Sequence, residues 1–261
     1  MITFPNAKIN IGLQVFEKRA DGFHNIHSLI YPIPFCDVLE IIPSQKDAFH
    51  QYGKIKLDEK ANLISKAVHL VRESYKIPEV EIHLIKKIPL GSGLGGGSSN
   101  AAFTLKMLNE LFQLKMDQKT MLEFALELGS DCPFFIQNKP QIVGGRGENC
   151  QNVSPILKGK WLLLAFPNLN LSTKEAFESL ELKEKPDKLD FTLPIQKWNS
   201  ELKNDFEPIQ FQKYPELKKL HERIASKAVF SSMSGTGSSI YGVFEKKENI
   251  ELPCFSLWIQ L

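Results

Sequence analysis

The segment "PLGSGLGGGSSNAA", residues 89–102, is the most informative stretch of this chain. It holds five glycines and three serines, and it lies between an alternating run, "VEIHLI", and a run with apolar residues at helical spacing. A glycine run before a helix lets backbone amides surround an anion, because no Cβ blocks the approach and φ can be positive. The sequence therefore predicts a phosphate-binding loop between a strand and a helix.

Three other interpretations of the loop agree less well with its surroundings. A flexible glycine-serine linker is not expected directly between a strand and a helical stripe. A P-loop needs a lysine after its second glycine, and the matching pair Gly91 and Gly96 is followed by Gly97. A dinucleotide loop fits Gly91, Gly93 and Gly96, but it needs a buried parallel strand before it and an acidic residue on a strand about 20 residues later. The chain instead has an alternating run before the loop and a helical run after it.

Charge and composition favour a small-molecule partner. The 261 residues carry a net charge of +2, and the lysines are scattered among glutamates, which is not typical of a nucleic-acid surface. No apolar run reaches the roughly 18 residues of a membrane span, and the first residues do not resemble a secretory signal. We expect a cytoplasmic protein that has no nucleic-acid or membrane partner and acts as a monomer or weak homodimer.

The four cysteines, at positions 36, 132, 150 and 254, are far apart and form no C-x-x-C pair. This spacing indicates neither a zinc site nor a disulfide framework. We expect packing residues, with Cys132 the one position left open.

Period-two alternation predicts a strand at residues 8–15, where apolar side chains stand at positions 9, 11, 13 and 15. We expect its polar face, which carries Lys8 and Asn10, to be accessible. Asp21-Gly22 predicts a tight turn into further strand residues.

Capping residues predict the helices. Asn62 precedes one helical run, Asp117 begins and Gly129 ends another, and Ser172 begins a third with a capping box. Two more helical stretches are expected near 198–206 and 214–225, and a strand, turn and strand at 228–244. The turn-rich segment around residues 152–159 suggests a seam, so we expect domains 1–152 and 153–261, with a single fused unit as the alternative.

Four segments together resemble the GHMP kinases, the small-molecule kinases of the galactose, homoserine, mevalonate and phosphomevalonate type. They are the glycine loop, "AKINIGLQVFEKRADGFH" at 7–24, "GSDCPFF" at 129–135 and "MSGTGSSIYG" at 233–242. Their order and spacing resemble most the branch that acts on a cytidine diphosphate-linked methylerythritol in the non-mevalonate route to isoprenoids. The alternative is another GHMP kinase, of the homoserine or mevalonate type.

The resemblance implies an α+β, two-lobed GHMP kinase fold. Its N-terminal domain would be a ribosomal-protein-S5-like α/β domain, its C-terminal domain a ferredoxin-like α/β domain, and the active site would lie between them. It also implies transfer of a phosphoryl group from ATP, with Mg²⁺, to the 2-hydroxyl of the substrate. The ATP site would consist of Pro89, Leu90, Gly91, Ser92, Gly93, Leu94, Gly95, Gly96, Gly97, Ser98 and Ser99.

The resemblance also implies two catalytic residues, Asp131 as the base for the hydroxyl proton and Lys8 as the assisting cation. The residues themselves agree, because Asp131 follows a helix end and precedes Pro133 and Phe134, which would partly desolvate it. The ordinary alternatives stay open: an aspartate after a helix is often a turn former or cap, and a strand lysine is usually solvated.

The implied substrate site includes Phe23, which would stack on cytosine where tyrosine is common in the family, and His24, which would hydrogen-bond the base. Asn10 would hold the substrate or the lysine. The other residues of this implied site are Ser234, Gly235, Thr236 and Gly237. Without a ligand, residues 21–24 and 234–239 are ordinary turns.

The candidate ligands for Mg²⁺ are the phosphates and Ser98 or Ser99. The sequence does not indicate a carboxylate that would bind the metal. Ser130 and Cys132 depart from the family pattern, but both are small and should leave Asp131 in place. The segment "GGRGE", residues 144–148, is expected to form only a turn.

Overall fold

The computed structural model describes residues 1–57, 62–169, 171–182 and 188–261. The strands are, in chain order, β1 (Ile2–Thr3), β2 (Asn6–Lys18), β3 (His24–Cys36), β4 (Val38–Pro43), β5 (Ala48–Tyr52), β6 (Val80–Ile85), β7 (Gln141–Gly145), β8 (Asn149–Asn152), β9 (Trp161–Phe166), β10 (Phe230–Met233), β11 (Ile240–Phe244) and β12 (Phe255–Gln260). The helices are α1 (Leu63–Ser74), α2 (Gly96–Leu111), α3 (Gln118–Leu128), α4 (Cys132–Gln137), α5 (Thr173–Glu178), α6 (Trp198–Glu201), α7 (Glu207–Lys213) and α8 (Pro215–Ala225), with a turn of 3-10 helix at Ile195–Lys197. None of the helices in these described ranges is long and apolar enough to cross a membrane.

Backbone contacts divide the chain into two compact units. Unit 1 comprises Met1–Ala7, Phe35–Leu90 and Gly95–Lys139, and unit 2 comprises Lys8–Pro34, Gly91–Leu94 and Pro140–Leu261. Because the units alternate along the chain, one cut near residue 152 does not separate them. The expected domains 1–152 and 153–261 stay a prediction.

Unit 1 contains a four-stranded sheet in the order β1-β4-β6-β5, and only β5 runs parallel to its neighbour. Its helices begin where the capping residues predicted. Asn62 accepts a hydrogen bond from Ile64 N at 3.0 Å, and Asp117 accepts one from Thr120 N at 2.8 Å. Helix α2 packs against α1 and α4, and Ala101, Ala102, Leu105 and Leu108 of its apolar stripe are buried.

Unit 2 contains two four-stranded sheets, with the orders β2-β3-β7-β8 and β10-β11-β9-β12. The predicted strand, turn and strand near the end of the chain are β10, a loop and β11, which pair antiparallel. Its apolar core joins Leu13 and Val15 of β2 to Leu163 of β9 and Phe244 of β11. Ser172 caps α5, as its capping box predicted.

The polar face of β2 is buried, and the expectation that it would be accessible was wrong. Lys8 and Asn10 are each 3% exposed. Tyr241 donates its hydroxyl proton to the carbonyl of Asn10 at 2.6 Å, and Leu189 N donates to Gln14 Oε1 at 3.0 Å. Alternation reports which side chains share a face, but residues more than 170 positions away decide whether that face meets solvent.

Candidate active site

The glycine loop has the geometry of an anion site. Gly91, Gly93 and Gly95 have φ values of +61°, +75° and +69°, so left-handed residues alternate with others along the loop. Glycines with positive φ let the backbone approach an anion closely, which is a feature of phosphate-binding loops. Helix α2 begins directly afterwards at Gly96, and its N-cap residue, Gly95, supplies no capping side chain. The first-turn amides of α2 are therefore not covered by a cap and favour a negatively charged group.

Within unit 2, the loop segment Gly91–Leu94 lies against the small-residue loop that follows β10. Ser234 Oγ donates to Gly93 O at 2.9 Å, and Ser239 N donates to Ser92 O at 3.2 Å. A Cβ on Gly93 would lie 1.9 Å from Ser234 O. Glycine is required at this position by both its positive φ and this close backbone approach.

Lys8 and Asn10 join the same cluster in unit 2. Lys8 N donates to Leu94 O at 3.0 Å, and the Lys8 ammonium donates to Asn10 Oδ1. Asn10 Nδ2 donates in turn to Ser28 Oγ at 2.9 Å, and Asn10 N donates to Ser234 Oγ at 3.3 Å. Asn10 thus contacts the buried ammonium of Lys8, and a role of Asn10 toward the substrate stays a prediction.

In unit 1, the start of α2 meets the turn that carries Asp131. A Cβ on Gly129 would lie 4.0 Å from Ser98 Oγ, and the neighbouring Ser98 hydroxyl lowers the pKa of the Cys132 thiol, against the larger effect of burial. The structure therefore places the last residues of the glycine loop beside the Asp131 turn.

Asp131 stands at the N-cap of α4 and is half-buried, but its side chain accepts no capping hydrogen bond from that helix. An aspartate at this position normally accepts such a bond. The cap role that the sequence allowed for Asp131 is therefore not what its carboxylate does. Cys132 beside it is fully buried, and this burial raises the pKa of its thiol to about 12, so Cys132 is a packing residue.

Sequence reasoning missed a buried ion pair beneath α2. Lys86 and Asp37 have side chains that are 1% and 0% exposed, and the Lys86 ammonium donates to Asp37 Oδ2. Asp37 also accepts hydrogen bonds from Lys87 N at 2.7 Å, Ile88 N at 2.9 Å and Asn100 Nδ2 at 2.9 Å. A Cβ on Gly96 would lie 2.8 Å from Lys86 Nζ. The pair thus connects the end of β6 to the first two turns of α2. In the sequence, the only indication of a charge here is the doublet Lys86-Lys87, and it does not reveal the partner Asp37.

A second missed residue is Asn204, which is 2% exposed. Its Nδ2 donates to Met233 O and Gly235 O, each at 2.8 Å, and its Oδ1 accepts from Phe206 N at 3.0 Å. Asn204 therefore holds the backbone of the loop that contains Ser234, Gly235, Thr236 and Gly237. Nothing in the local sequence distinguishes it from a surface asparagine.

The β2–β3 hairpin places Phe23 and His24 at its tip. The predicted turn is present, because Arg19 N donates to Phe23 O at 2.7 Å and Gly22 has a φ of +84°. Phe23 is 44% exposed. His24 stacks on Phe177 with ring centroids 5.1 Å apart, and burial, assisted by Lys18, lowers the pKa of His24. The tip therefore offers one open aromatic ring beside a histidine that is biased toward its neutral form.

No group of three or more His, Cys, Asp or Glu side chains within the described ranges could hold a metal ion. The side-chain oxygens that remain as candidate metal ligands are the hydroxyl groups of Ser98 and Ser99, at the start of α2. Ser99 Oγ is buried and has no hydrogen-bond partner in the described part of the chain, while Ser98 lies at the Asp131 turn. Hydroxyl and phosphate oxygens are ligands that Mg²⁺ accepts.

Two family models match the chain: "GHMP kinases N terminal domain" over residues 62–139 and "GHMP kinases C terminal" over residues 194–252. A protein of Cytophaga hutchinsonii named 4-diphosphocytidyl-2-C-methyl-D-erythritol kinase is 43% identical over 252 residues, which is 95% of this chain and 93% of that protein. The chain belongs to the GHMP kinases. A relative of this GHMP kinase in Bacteroides fragilis, which bears the same name, is 43% identical over 96% of this chain and 94% of its own.

Solved structures agree with this membership. The crystal structure of a 4-(cytidine 5'-diphospho)-2C-methyl-D-erythritol kinase matches this GHMP kinase with a TM-score of 0.78 and 29% identity, over 93% of this chain and 90% of that chain. A mevalonate kinase of Methanococcus jannaschii has a TM-score of 0.67 at 12% identity, over 94% of this chain and 90% of its own. The second likeness concerns the fold alone. The two-lobed α+β GHMP kinase fold expected from the sequence is confirmed.

Proposed function

We propose that this GHMP kinase transfers the γ-phosphoryl group of ATP to the 2-hydroxyl of 4-diphosphocytidyl-2-C-methyl-D-erythritol, in the non-mevalonate pathway of isoprenoid synthesis. The observation that carries the proposal is the 43% identity, over nearly the full length, to proteins named as kinases of this compound. Kinases of homoserine or mevalonate share the fold, but a homoserine kinase of Cytophaga hutchinsonii and two mevalonate kinases have 17% identity or less.

In this proposal the glycine loop, residues 89–99, binds the ATP phosphates. Its support is the alternating positive φ values, the uncapped start of α2 and the close backbone approach at Gly93. ATP supplies the phosphoryl group. The phosphates and the Ser98 and Ser99 hydroxyls would hold Mg²⁺, which neutralises phosphate charge in such reactions.

Asp131 takes the proton of the substrate hydroxyl in this proposal, and Lys8 provides a fixed positive charge. Phosphoryl transfer asks the protein mainly for positioning, charge neutralisation and a group that accepts this proton. Asp131 is half-buried and does not cap its own helix, and the Lys8 ammonium is held by Asn10. Both properties suit the assigned roles, because a rigid, partly desolvated group is a better catalyst than a solvated one.

Phe23 and His24 bind the cytosine in this proposal, and Asn10 and the loop 234–237 complete the substrate side. An open aromatic face stacks readily on a base, and a neutral imidazole both donates and accepts hydrogen bonds. Phe23 supplies the open face, and the lowered pKa of His24 supplies the neutral ring.

A coupled assay of ADP release tests the proposal. Purified protein with ATP, Mg²⁺ and the diphosphocytidyl substrate should release one ADP per substrate, and phosphorus NMR should show a phosphate monoester at the 2-position. Homoserine and mevalonate are the control substrates and should give background rates. A folded, ATP-binding preparation that turns over a control substrate and not the cytidine compound would refute the assignment.

We also infer that the enzyme is cytoplasmic and acts as a monomer or weak homodimer without nucleic-acid or membrane partners. Its N-terminal GHMP kinase domain would comprise residues 1–152 and its C-terminal domain residues 153–261. Support comes from the scattered charge and from the matches to separate N- and C-terminal family models. Light scattering after size-exclusion chromatography would measure the oligomeric state directly.

A further inference from the structure

The β7–β8 turn, residues 145–148, lies beside the tip of the β2–β3 hairpin in unit 2. Strand β3 pairs antiparallel with β7, and Ile26 stands opposite Gly145. Residues that follow Gly145 are therefore neighbours of residues that precede Ile26. This turn contains "GRGE", a motif to which the sequence assigned only a turn.

Glu148 holds this turn in one shape. Gly145 has a φ of +67°, and a Cβ there would lie 2.6 Å from the Glu148 carboxylate, so the carboxylate folds back over the glycine. Glu148 Oε2 accepts a hydrogen bond from Arg146 N at 2.5 Å. The backbone of Arg146 is thereby fixed relative to β7.

Arg19 connects Glu148 to the hairpin tip. Its Nη1 donates to Glu148 Oε1 at 3.0 Å and to Asn25 Oδ1 at 3.1 Å, and its Nε donates to Asp21 Oδ2 at 3.1 Å. Asp21 Oδ1 accepts from Phe23 N at 3.1 Å. A continuous chain of charge-assisted hydrogen bonds thus joins the turn to the backbone of Phe23.

The side chain of Arg146 completes this arrangement. The guanidinium carbon of Arg146 lies 3.8 Å from the centroid of the Phe23 ring, so the guanidinium group covers one face of that ring. Phenylalanine has no polar atom with which to anchor its ring, so packing must set the orientation. Phe23 remains 44% exposed, which leaves area for a second flat group.

We propose that Arg146 is a positioning residue for the pyrimidine: it covers one face of Phe23 and fixes the ring, so that the other face receives the cytosine. The inference rests on the function proposed above and deepens it by assigning the "GRGE" turn to the cytidine site. Fixing the ring before binding favours affinity, because less side-chain freedom is lost on association. The cation also interacts with the ring that stacks on the base.

Titration calorimetry with CMP, in the presence of saturating ADP, tests the inference on the full chain. Arg146→Gln should weaken CMP binding by about two- to fivefold, the size expected for an exposed cation–π contact. The Michaelis constant for the cytidine substrate should rise by a similar factor, while that for ATP, kcat and Tm stay unchanged. Arg146→Lys, which keeps a cation, should fall between the wild type and Arg146→Gln.

A double-mutant cycle with Phe23→Leu separates positioning from a general effect of charge. Once the ring is absent, Arg146→Gln should cause no further loss of CMP affinity. The matched control is Lys247→Gln, because the Lys247 ammonium lies 4.3 Å from the Trp161 ring centroid, a cation–π contact in the other sheet of unit 2. This control should leave CMP binding unchanged.

Tighter CMP binding by Arg146→Gln would overturn the inference, since it would mean that Arg146 occupies the place of the base. The inference would also be overturned if Arg146→Gln lowered CMP affinity as much in the Phe23→Leu variant as in the wild type. If wild-type protein binds no CMP at all, the inference and the proposed substrate both fail. If wild-type protein binds CMP, Phe23→Leu abolishes binding and Arg146→Gln changes nothing, only the inference fails.

Discussion

Removing one member of the buried Asp37–Lys86 pair should destabilise the protein far more than removing both. The two side chains are 1% exposed or less, so Lys86→Met leaves a carboxylate that water does not reach. Breaking a buried pair in this way costs about 3–5 kcal/mol. We expect the lower end, about 3 kcal/mol, because Asp37 would keep its hydrogen bonds from Lys87 N, Ile88 N and Asn100 Nδ2.

The double variant Asp37→Asn, Lys86→Met should return to within about 1 kcal/mol of the wild type, since it buries no charge. The amide oxygen introduced at position 37 would still accept the two backbone N–H groups. Asn100 Oδ1 has no hydrogen-bond partner among the described residues and could accept from the new amide if the Asn100 side chain turned. In that orientation the Asn100 amide nitrogen no longer donates to position 37, and the loss of one neutral hydrogen bond, about 1 kcal/mol, is included in the expected difference.

Thermal unfolding by calorimetry measures this prediction. A loss of 1 kcal/mol lowers Tm by about 2–4 °C in a protein of this size, so Lys86→Met should lower Tm by about 6–12 °C and the double variant by no more than about 4 °C. Lys119→Met is the control, because Lys119 and Glu123 are 84% and 64% exposed and 3.9 Å apart, and it should shift Tm by less than about 2 °C. An equal Tm for Lys86→Met and the double variant would refute the reasoning, because the lost stability would not come from an uncompensated charge.

Three further predictions concern the active-site residues. Asp131→Asn should lower kcat about a hundredfold or more with the affinity for ATP nearly intact, as loss of a general base does; parallel loss of ATP binding would make Asp131 structural. Gly93→Ala should raise the Michaelis constant for ATP at least about tenfold, because the new Cβ would meet Ser234 O. Gly159 also has a positive φ, +84°, but has open space around it, so Gly159→Ala should cost only about 1–2 kcal/mol of stability. Because the pKa of His24 is lowered in the folded protein, the unfolded chain binds more protons just below pH 6.5, and the free energy of unfolding rises with pH there. His24→Gln should reduce this rise, measured as the change in Tm from about pH 5 to 7.

The local elements and the family were predictable from the sequence. Asn62, Asp117 and Ser172 cap helices where they were expected, since a cap depends on hydrogen bonds over two or three residues. The strand and the helix that flank the glycine loop were predicted from the periodicity of their own apolar residues, which is also a local property. The four-segment resemblance gave the family, which the matches to both domains and to full-length relatives confirm.

Burial and long-range pairing required the tertiary structure. The face of β2 that carries Lys8 and Asn10 was expected to be accessible but is buried, and Tyr241 is one of the residues that contact this part of the strand. The alternating pattern of the strand would be the same if the face were exposed, so the pattern could not predict its burial. Asn204 holds a loop about 30 residues away, and no pattern near it signals this.

Glycine spacing and capping residues were enough to predict the anion loop and the helix starts, because both act through the local backbone, and the resemblance of four segments indicated the family. Folding brings together groups that lie far apart in the sequence: Asp37 pairs with Lys86 in the interior, and Arg146 lies on the partly exposed Phe23 ring. The electrostatic environment of a side chain depends on groups brought close by folding, whatever their separation in sequence.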